Sequence, residues 1–261
     1  MRVRIRFTKV GKVRFTSHRD VARIWERAVR RAGIAVAYSQ GFSPRPKLSF
    51  GLALSTGHES VAEYLDADLL DDRFGSTEAW GAGRSKTTSV ELMNALNGVL
   101  PAGMDVIAVA PAPGGDSLQQ AVVACTWAIH LDNVRRSDAE SWVAGVLARR
   151  ELVVERERKG KPVVEDLRPQ VLALSTLDDT RDNSLYAVES ESEIENAGLR
   201  LLAELGTQPR ALRPTELLAA VGPPLAVRSV CRMNQWMLQG ADREEPLPVA
   251  VAPAPSTKES T

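Results

Sequence analysis

Arginines recur at spacings of three and four along one short stretch: Arg19, Arg23, Arg27 and either Arg30 or Arg31. On a helix this spacing lines them along a single face. Like charges so placed repel one another, and an anion on the face would relieve that repulsion. Guanidinium groups match phosphate oxygens in geometry. The plain alternative is a solvated face partly neutralised by Glu26. A second constellation is Gln40-Gly41-Phe42-Ser43-Pro44-Arg45-Pro46-Lys47. Gly41 permits a turn or a close backbone approach. Pro44 and Pro46 stiffen the segment, so that Arg45 and Lys47 are presented at reduced entropic cost. Phe42 between cations suits stacking on a base; taken alone, it reads more readily as a core residue than as a platform. A third group, Ser17, His18, Asp20 and Glu59, contains the candidates for acid–base chemistry. Its alternative is structural. Ser17 and Asp20 form a helix cap, and Glu59 and Glu63 are counter-ions for the basic strip.

The elements that must position these residues follow from periodicity. Arg2, Arg4 and Arg6 alternate with Val3, Ile5 and Phe7, the pattern of a half-buried strand. Val13–Phe15 continues it after a turn. Ser17 opens a helix with Val21, Ile24, Trp25, Ala28, Val29 and Ala32 inward, and Gly33 closes it. Strands are expected at Ile34–Ser39, Lys47–Leu54, Ser60–Leu69 and Met104–Ala110, with a helix over Ser89–Leu100. Phe74–Thr88 reads as a loose surface insertion and Pro111–Gly115 as a linker. The order then repeats. It gives strands at Gln119–Leu131, Leu152–Arg156, Val171–Leu177, Leu185–Glu189 and Leu225–Met237, and helices at Asp138–Arg149, capped by Ser137, and at Pro214–Val221. Lys161–Leu167 adds a short extended piece. The expected fold is α+β: two tandem ferredoxin-like (βαββαβ) units with antiparallel sheets, over residues 1–113 and 117–239, and a disordered tail over 240–261.

The chain has 261 residues with 33 basic and 33 acidic side chains, a formal charge of zero. That zero conceals polarity. Residues 1–50 hold thirteen cations against Asp20 and Glu26, a net +11, and the remainder is equally acidic. Polarised charge readmits nucleic acid as a partner that the total would exclude. Two distant cysteines, Cys125 and Cys231, argue against a disulfide framework, an iron–sulfur cluster or a zinc site. The chain contains no P-loop, dinucleotide fingerprint, zincin motif or nucleophile elbow. No metal or cofactor is expected. No apolar run is long enough for a membrane span, and the N-terminus lacks a secretory h-region, so the expected compartment is the cytoplasm.

Four linked motifs make the chain recognisable: F-T-S-H-R-D from Phe15, E-R-A-V-R-R-A-G-I from Glu26, Y-S-Q-G-F-S-P-R-P-K-L-S-F from Tyr38, and S-T-G-H-E-S-V-A-E-Y from Ser55. In this order they resemble the radical-SAM-associated family of unknown function DUF2344, in its stand-alone form. N-G-V-L-P-A-G-M-D-V from Asn97 is similar to that family's segment before a strand. The resemblance covers roughly the first 115 residues well and the later half loosely. It implies, as partners, a radical SAM protein or RNA-processing and ribosomal proteins. This chain lacks the cysteines to ligate a radical SAM cluster, so the expected role is an RNA-binding or substrate-presenting module. The alternatives are an enzyme subunit acting with a radical SAM partner in trans, or an interaction scaffold. The element order is also similar to CRISPR repeat-processing ribonucleases.

Overall fold

Alternation of apolar residues on one side with small or charged residues on the other builds most of a single mixed sheet. The computed structural model describes residues 1–70, 88–112, 117–158, 160–178, 198–240 and 242–247. Its first half runs β1 (Arg2–Lys9), a 3-10 turn (Gly11–Phe15), α1 (His18–Arg31), β2 (Leu48–Phe50), β3 (Glu59–Asp68), α2 (Ser89–Asn97) and β4 (Val106–Pro111). Its second half begins with α3 (Leu118–Ala121), β5 (Val122–Leu131), α4 (Arg136–Leu147), β6 (Val153–Arg158) and β7 (Lys161–Asp166). It ends with β8 (Val171–Asp178), β9 (Leu199–Gly206), α5 (Pro214–Ala220), β10 (Val227–Gln239) and β11 (Asp242–Glu244).

Nine strands form one sheet in the order β4-β1-β3-β10-β5-β9-β8, with β2 added to β3 and β11 to β10; β6 and β7 form a separate hairpin. Within each half every neighbouring pair is antiparallel. The halves meet where β3 pairs with β10 in parallel, through Cys231↔Glu59 and Arg232↔Ser60. β3 therefore has a divided edge. Residues Leu65–Ala67 face β2, while its beginning faces β10. The fold is α+β with a mostly antiparallel sheet, as expected, but the two halves share that sheet.

Each half has its own core. Val21, Trp25, Ala28 and Val29 of α1 and Leu92 and Leu96 of α2 pack on Val3, Ile5, Phe7, Leu65 and Ala67. Trp25 meets Phe7 edge-on at 4.8 Å. In the second half Trp142, Val143 and Val146 of α4 and Leu217 and Leu218 of α5 cover Ile129, Leu201, Ala203 and Leu205. A third, small cluster of Ala62, Tyr64 and Leu118 lies outside both cores, with Leu247 against it.

Several expectations change. β1 is buried on both faces except at Arg2, so Arg4 and Arg6 are interior. Gly11–Phe15 coils instead of extending, held by Val10 N–H donating to the Gly103 carbonyl at 2.9 Å. Gly103 has φ +87, and a Cβ there would collide with the Val10 carbonyl oxygen, so only glycine fits. Ile34–Ser39 forms isolated bridges rather than a strand, Val36↔Leu69 and Tyr38↔Pro46. The first residues of the Gln119–Leu131 segment are helical. The cap position of α4 falls on Arg135, not Ser137. β9 occupies a stretch for which no strand was expected, and the expected Leu185–Glu189 strand lies outside the described residues. So do most of the Phe74–Thr88 insertion and of the linker. Of residues 242–247, assigned to the disordered tail, Asp242–Glu244 form β11 and Leu247 packs against the third cluster; 248–261 lie outside the described residues.

Candidate nucleic-acid interface

α1 begins where Ser17 accepts a hydrogen bond from Asp20 N–H at 3.2 Å and donates its own hydroxyl to the Asp20 carboxylate at 2.7 Å. That bond holds the Asp20 carboxyl below the usual carboxylate range, helped by Arg23. Ser17 and Asp20 thus satisfy each other as a cap. The inward stripe leaves Arg19, Arg23, Arg27, Arg30 and Arg31 exposed to solvent. Arg23 approaches Asp20 at 3.3 Å in an ion pair about half exposed on both sides. Arg30 donates to the Glu26 backbone carbonyl.

The segment after α1 folds into a closed hairpin. Ser39 N–H donates to the Arg45 carbonyl at 2.9 Å, Arg45 N–H donates to the Ser39 hydroxyl at 3.1 Å, and Tyr38 bridges Pro46. Gly41 at φ +140 makes the turn. Gln40, Gly41, Phe42, Ser43, Pro44, Arg45 and Lys47 are exposed, and Pro46 is buried beneath them. Phe42 is 107 % exposed, so its ring is not a core residue. Phe15 is a second exposed aromatic, two residues before the cap of α1, with the Arg14 guanidinium 4.8 Å from its ring centroid.

Four other cations of the first fifty residues are paired with carboxylates. Arg2 pairs with Asp68, Arg4 with Asp66, Arg6 with Glu245 and Arg14 with Glu59. The acidic remainder therefore neutralises β1, while Lys12, Arg19, Arg27, Arg30, Arg31, Arg45 and Lys47 form no ion pair among the described residues. Glu59 also accepts from Gly11 N–H at 2.8 Å and thereby clamps the 3-10 turn. His18 stands edge-on to Phe50 at 5.6 Å. A cleft lined by His18, Phe7, Lys9, Val21, Phe50 and Glu63 opens beside it. Neither Glu59 nor the Gly41 hairpin reaches that cleft. The acid–base candidates do not converge, and the cations spread over an open surface.

Where the halves join lies a buried polar cluster that no local sequence motif marks. The Arg232 guanidinium, 1 % exposed, donates to Glu63 at 2.5 Å and to the Leu52 carbonyl at 2.9 Å, and it stacks over Trp127. Lys9, 2 % exposed, donates to the Arg14 carbonyl; burial pushes its pKa down, although Glu63 counteracts this. Burial pushes the Cys125 thiol up to about 11, which keeps it protonated. The one available signal was an arginine inside the otherwise uncharged Val230–Met237 stretch. His58 lies edge-on to Trp127, and burial pushes its pKa down, with Arg232 and Lys9 adding to the effect. In the unfolded chain His58 takes up a proton below about pH 6.5 that the folded site resists. Stability is therefore expected to fall as pH drops from 7.5 to 5.5. His58→Gln should flatten that acid limb in urea titrations at the two pH values.

Among the described residues no group of three His, Cys, Asp or Glu side chains is placed to hold a metal ion. No helix there is long and apolar enough to cross a membrane. A family model described as an uncharacterized protein conserved in bacteria, DUF2344, matches residues 2–205. The chain belongs to this family. No curated protein matches this DUF2344 chain. Among solved structures it is similar to a chain in a crystal structure of a Cbf5-Nop10-Gar1 complex, at 9% identity and a TM-score of 0.40. That similarity covers 89% of this chain and 48% of the other, so the DUF2344 chain spans about half the length of the chain it matches.

Proposed function

We propose that this DUF2344 protein is an RNA-binding module in which two ferredoxin-like units share one sheet. It contacts single-stranded RNA through the arginine face of α1 and the Tyr38–Lys47 hairpin. The observation that carries this is the hairpin itself. It holds a fully exposed Phe42 three residues ahead of Arg45 and five ahead of Lys47, on a backbone closed by its own hydrogen bonds. An exposed aromatic ring on a rigid support, near in sequence to cations that form no ion pair among the described residues, suits stacking on an unpaired base. Arg19, Arg23, Arg27 and Arg31 then take backbone phosphates. The cleft lined by Lys9, Glu63 and His18 favours a second reading, an enzyme subunit working with a radical SAM partner in trans. RNA binding to the hairpin does not require it.

Fluorescence anisotropy with a labelled single-stranded RNA tests the proposal. Phe42→Ala is expected to weaken binding by about 1–3 kcal/mol, the usual worth of one stacked base. Duplex RNA of the same sequence should bind less tightly and respond little to that change. Equal affinity of the wild type and Phe42→Ala for the single strand would remove the hairpin from the interface.

A further inference from the structure

The face of the sheet opposite the helices carries Arg4, Arg6, Ala62, Tyr64 and Asp66. Arg4 is engaged by Asp66 through two bonds, at 2.8 and 3.0 Å. Arg6, 6 % exposed, has no such partner on the sheet. It donates to the Val61 carbonyl at 3.3 Å and, at 2.8 Å, to one carboxylate oxygen of Glu245. The other oxygen of Glu245 accepts from the Asn234 side-chain amide at 2.6 Å. Beside this carboxylate Pro246 accepts from Arg4 at 3.4 Å, and Leu247 packs against the Ala62–Tyr64–Leu118 cluster. A short terminal segment thus seats one carboxylate in a cradle of one guanidinium and one amide.

Beside the cradle stands a donor that the carboxylate leaves unused. Tyr64 is 1 % exposed, and the Arg6 guanidinium lies 5.7 Å from its ring centroid. Among the described residues its buried hydroxyl has no hydrogen-bond partner. Burial pushes that hydroxyl's pKa up, so it remains a donor, and both Arg6 and Glu245 act on it electrostatically. Buried donors without acceptors are rare and point to an absent partner. Glu245 offers two coplanar oxygens, both already engaged. A phosphate group offers further oxygens out of that plane and can accept from Arg6, Asn234 and the Tyr64 hydroxyl together. β11, which leads into this segment, meets β10 through Met237↔Glu244, Leu238↔Arg243 and Gln239↔Asp242; all three of its residues are exposed, with Arg243 paired to Glu204.

We propose that Arg6, Asn234 and Tyr64 form a phosphate-binding site, occupied in cis by Glu245, and that residues 244–247 are the plug a phosphate-bearing ligand displaces. The site lies on the face opposite α1 and does not rest on the arginine face. Its test uses the full-length chain, calorimetric titration with inorganic phosphate, and chloride at matched ionic strength as the control. Glu245→Gln is expected to bind phosphate about tenfold more tightly than the wild type, because the competing carboxylate is gone. Leu247→Ala leaves every cradle residue in place, loosens the plug and should shift affinity in the same direction. Adding Tyr64→Phe to Glu245→Gln should reduce the gain several-fold, and adding Arg6→Gln should abolish it. Phosphate affinity no higher in Glu245→Gln and Leu247→Ala than in the wild type overturns the proposal, whether or not the chain binds RNA. Competition by a 5′-phosphorylated RNA oligonucleotide, and not by its 5′-hydroxyl counterpart, identifies the group as an RNA end. Competition by neither identifies a free anion, and both outcomes uphold the site.

Discussion

Glu63→Ala is expected to lower the melting temperature by on the order of 10 °C or more, the largest stability loss of any single change at the junction of the two halves. Glu63 is the counter-ion of Arg232 and acts electrostatically on Lys9, and both cations are almost fully buried. Removing one partner of a buried pair costs about 3–5 kcal/mol, because the other is left charged and desolvated. In a chain of this size each kcal/mol moves the midpoint by about 2–4 °C. Here the loss strands two cations, and the easier escape is for Lys9 to give up its proton. Arg232→Met should be milder. It leaves Glu63 with Lys9 as a remaining counter-charge and fills the space beside Trp127 with an apolar chain. Thermal unfolding of the two variants checks the order. A smaller loss for Glu63→Ala than for Arg232→Met would show that Lys9 is already neutral in the folded protein.

Replacing Arg19, Arg23, Arg27 and Arg31 together by Ala is expected to have the largest effect on RNA affinity. Four phosphate contacts to a single strand give a logarithmic salt slope of about −3, or roughly a fiftyfold loss of affinity between about 50 and 200 mM salt. The quadruple variant should lose most of that slope and bind at least about tenfold more weakly at the lower salt. These side chains are exposed and their inward neighbours are untouched, so the circular dichroism spectrum should not change. An unaltered slope would mean that the counter-ions released on binding come from elsewhere on the molecule.

The legible parts of the fold were those where one face meets a core and the other meets water. α1 shows this plainly: its cap, its apolar stripe and its closing glycine are all local signals, and its solvent face is basic as read. β1 was misread for the opposite reason. Arg4 and Arg6 alternate as solvent-facing residues do, but Asp66 and Glu245 reach them from 62 and 239 residues away, which no local pattern records. β9 was missed because Leu199–Gly206 is rich in Leu, Ala and Glu, which favour helix, and it lacks a β-branched residue. It is a strand because β5 and β8 flank it on both sides. The hairpin could be named from Gly41, Pro44 and Pro46, whereas the orientation of Phe42 could not. An aromatic residue in a turn has no periodicity to say which way it faces. The Lys9–Glu63–Arg232 cluster was illegible because it forms only where the two halves meet.

The divided edge of β3 also sets a timetable for synthesis. β3 and its partner β10 are far apart in the chain, with Glu63 and Arg232 separated by 169 residues. At about 5–20 residues per second, a ribosome needs roughly 10–30 s to make the intervening stretch. For that interval the start of β3 has no neighbour on its outer side, and Glu63 and Lys9 share a site without the arginine that completes it. A nascent chain stalled between the two strands would offer that open edge to other unfinished copies.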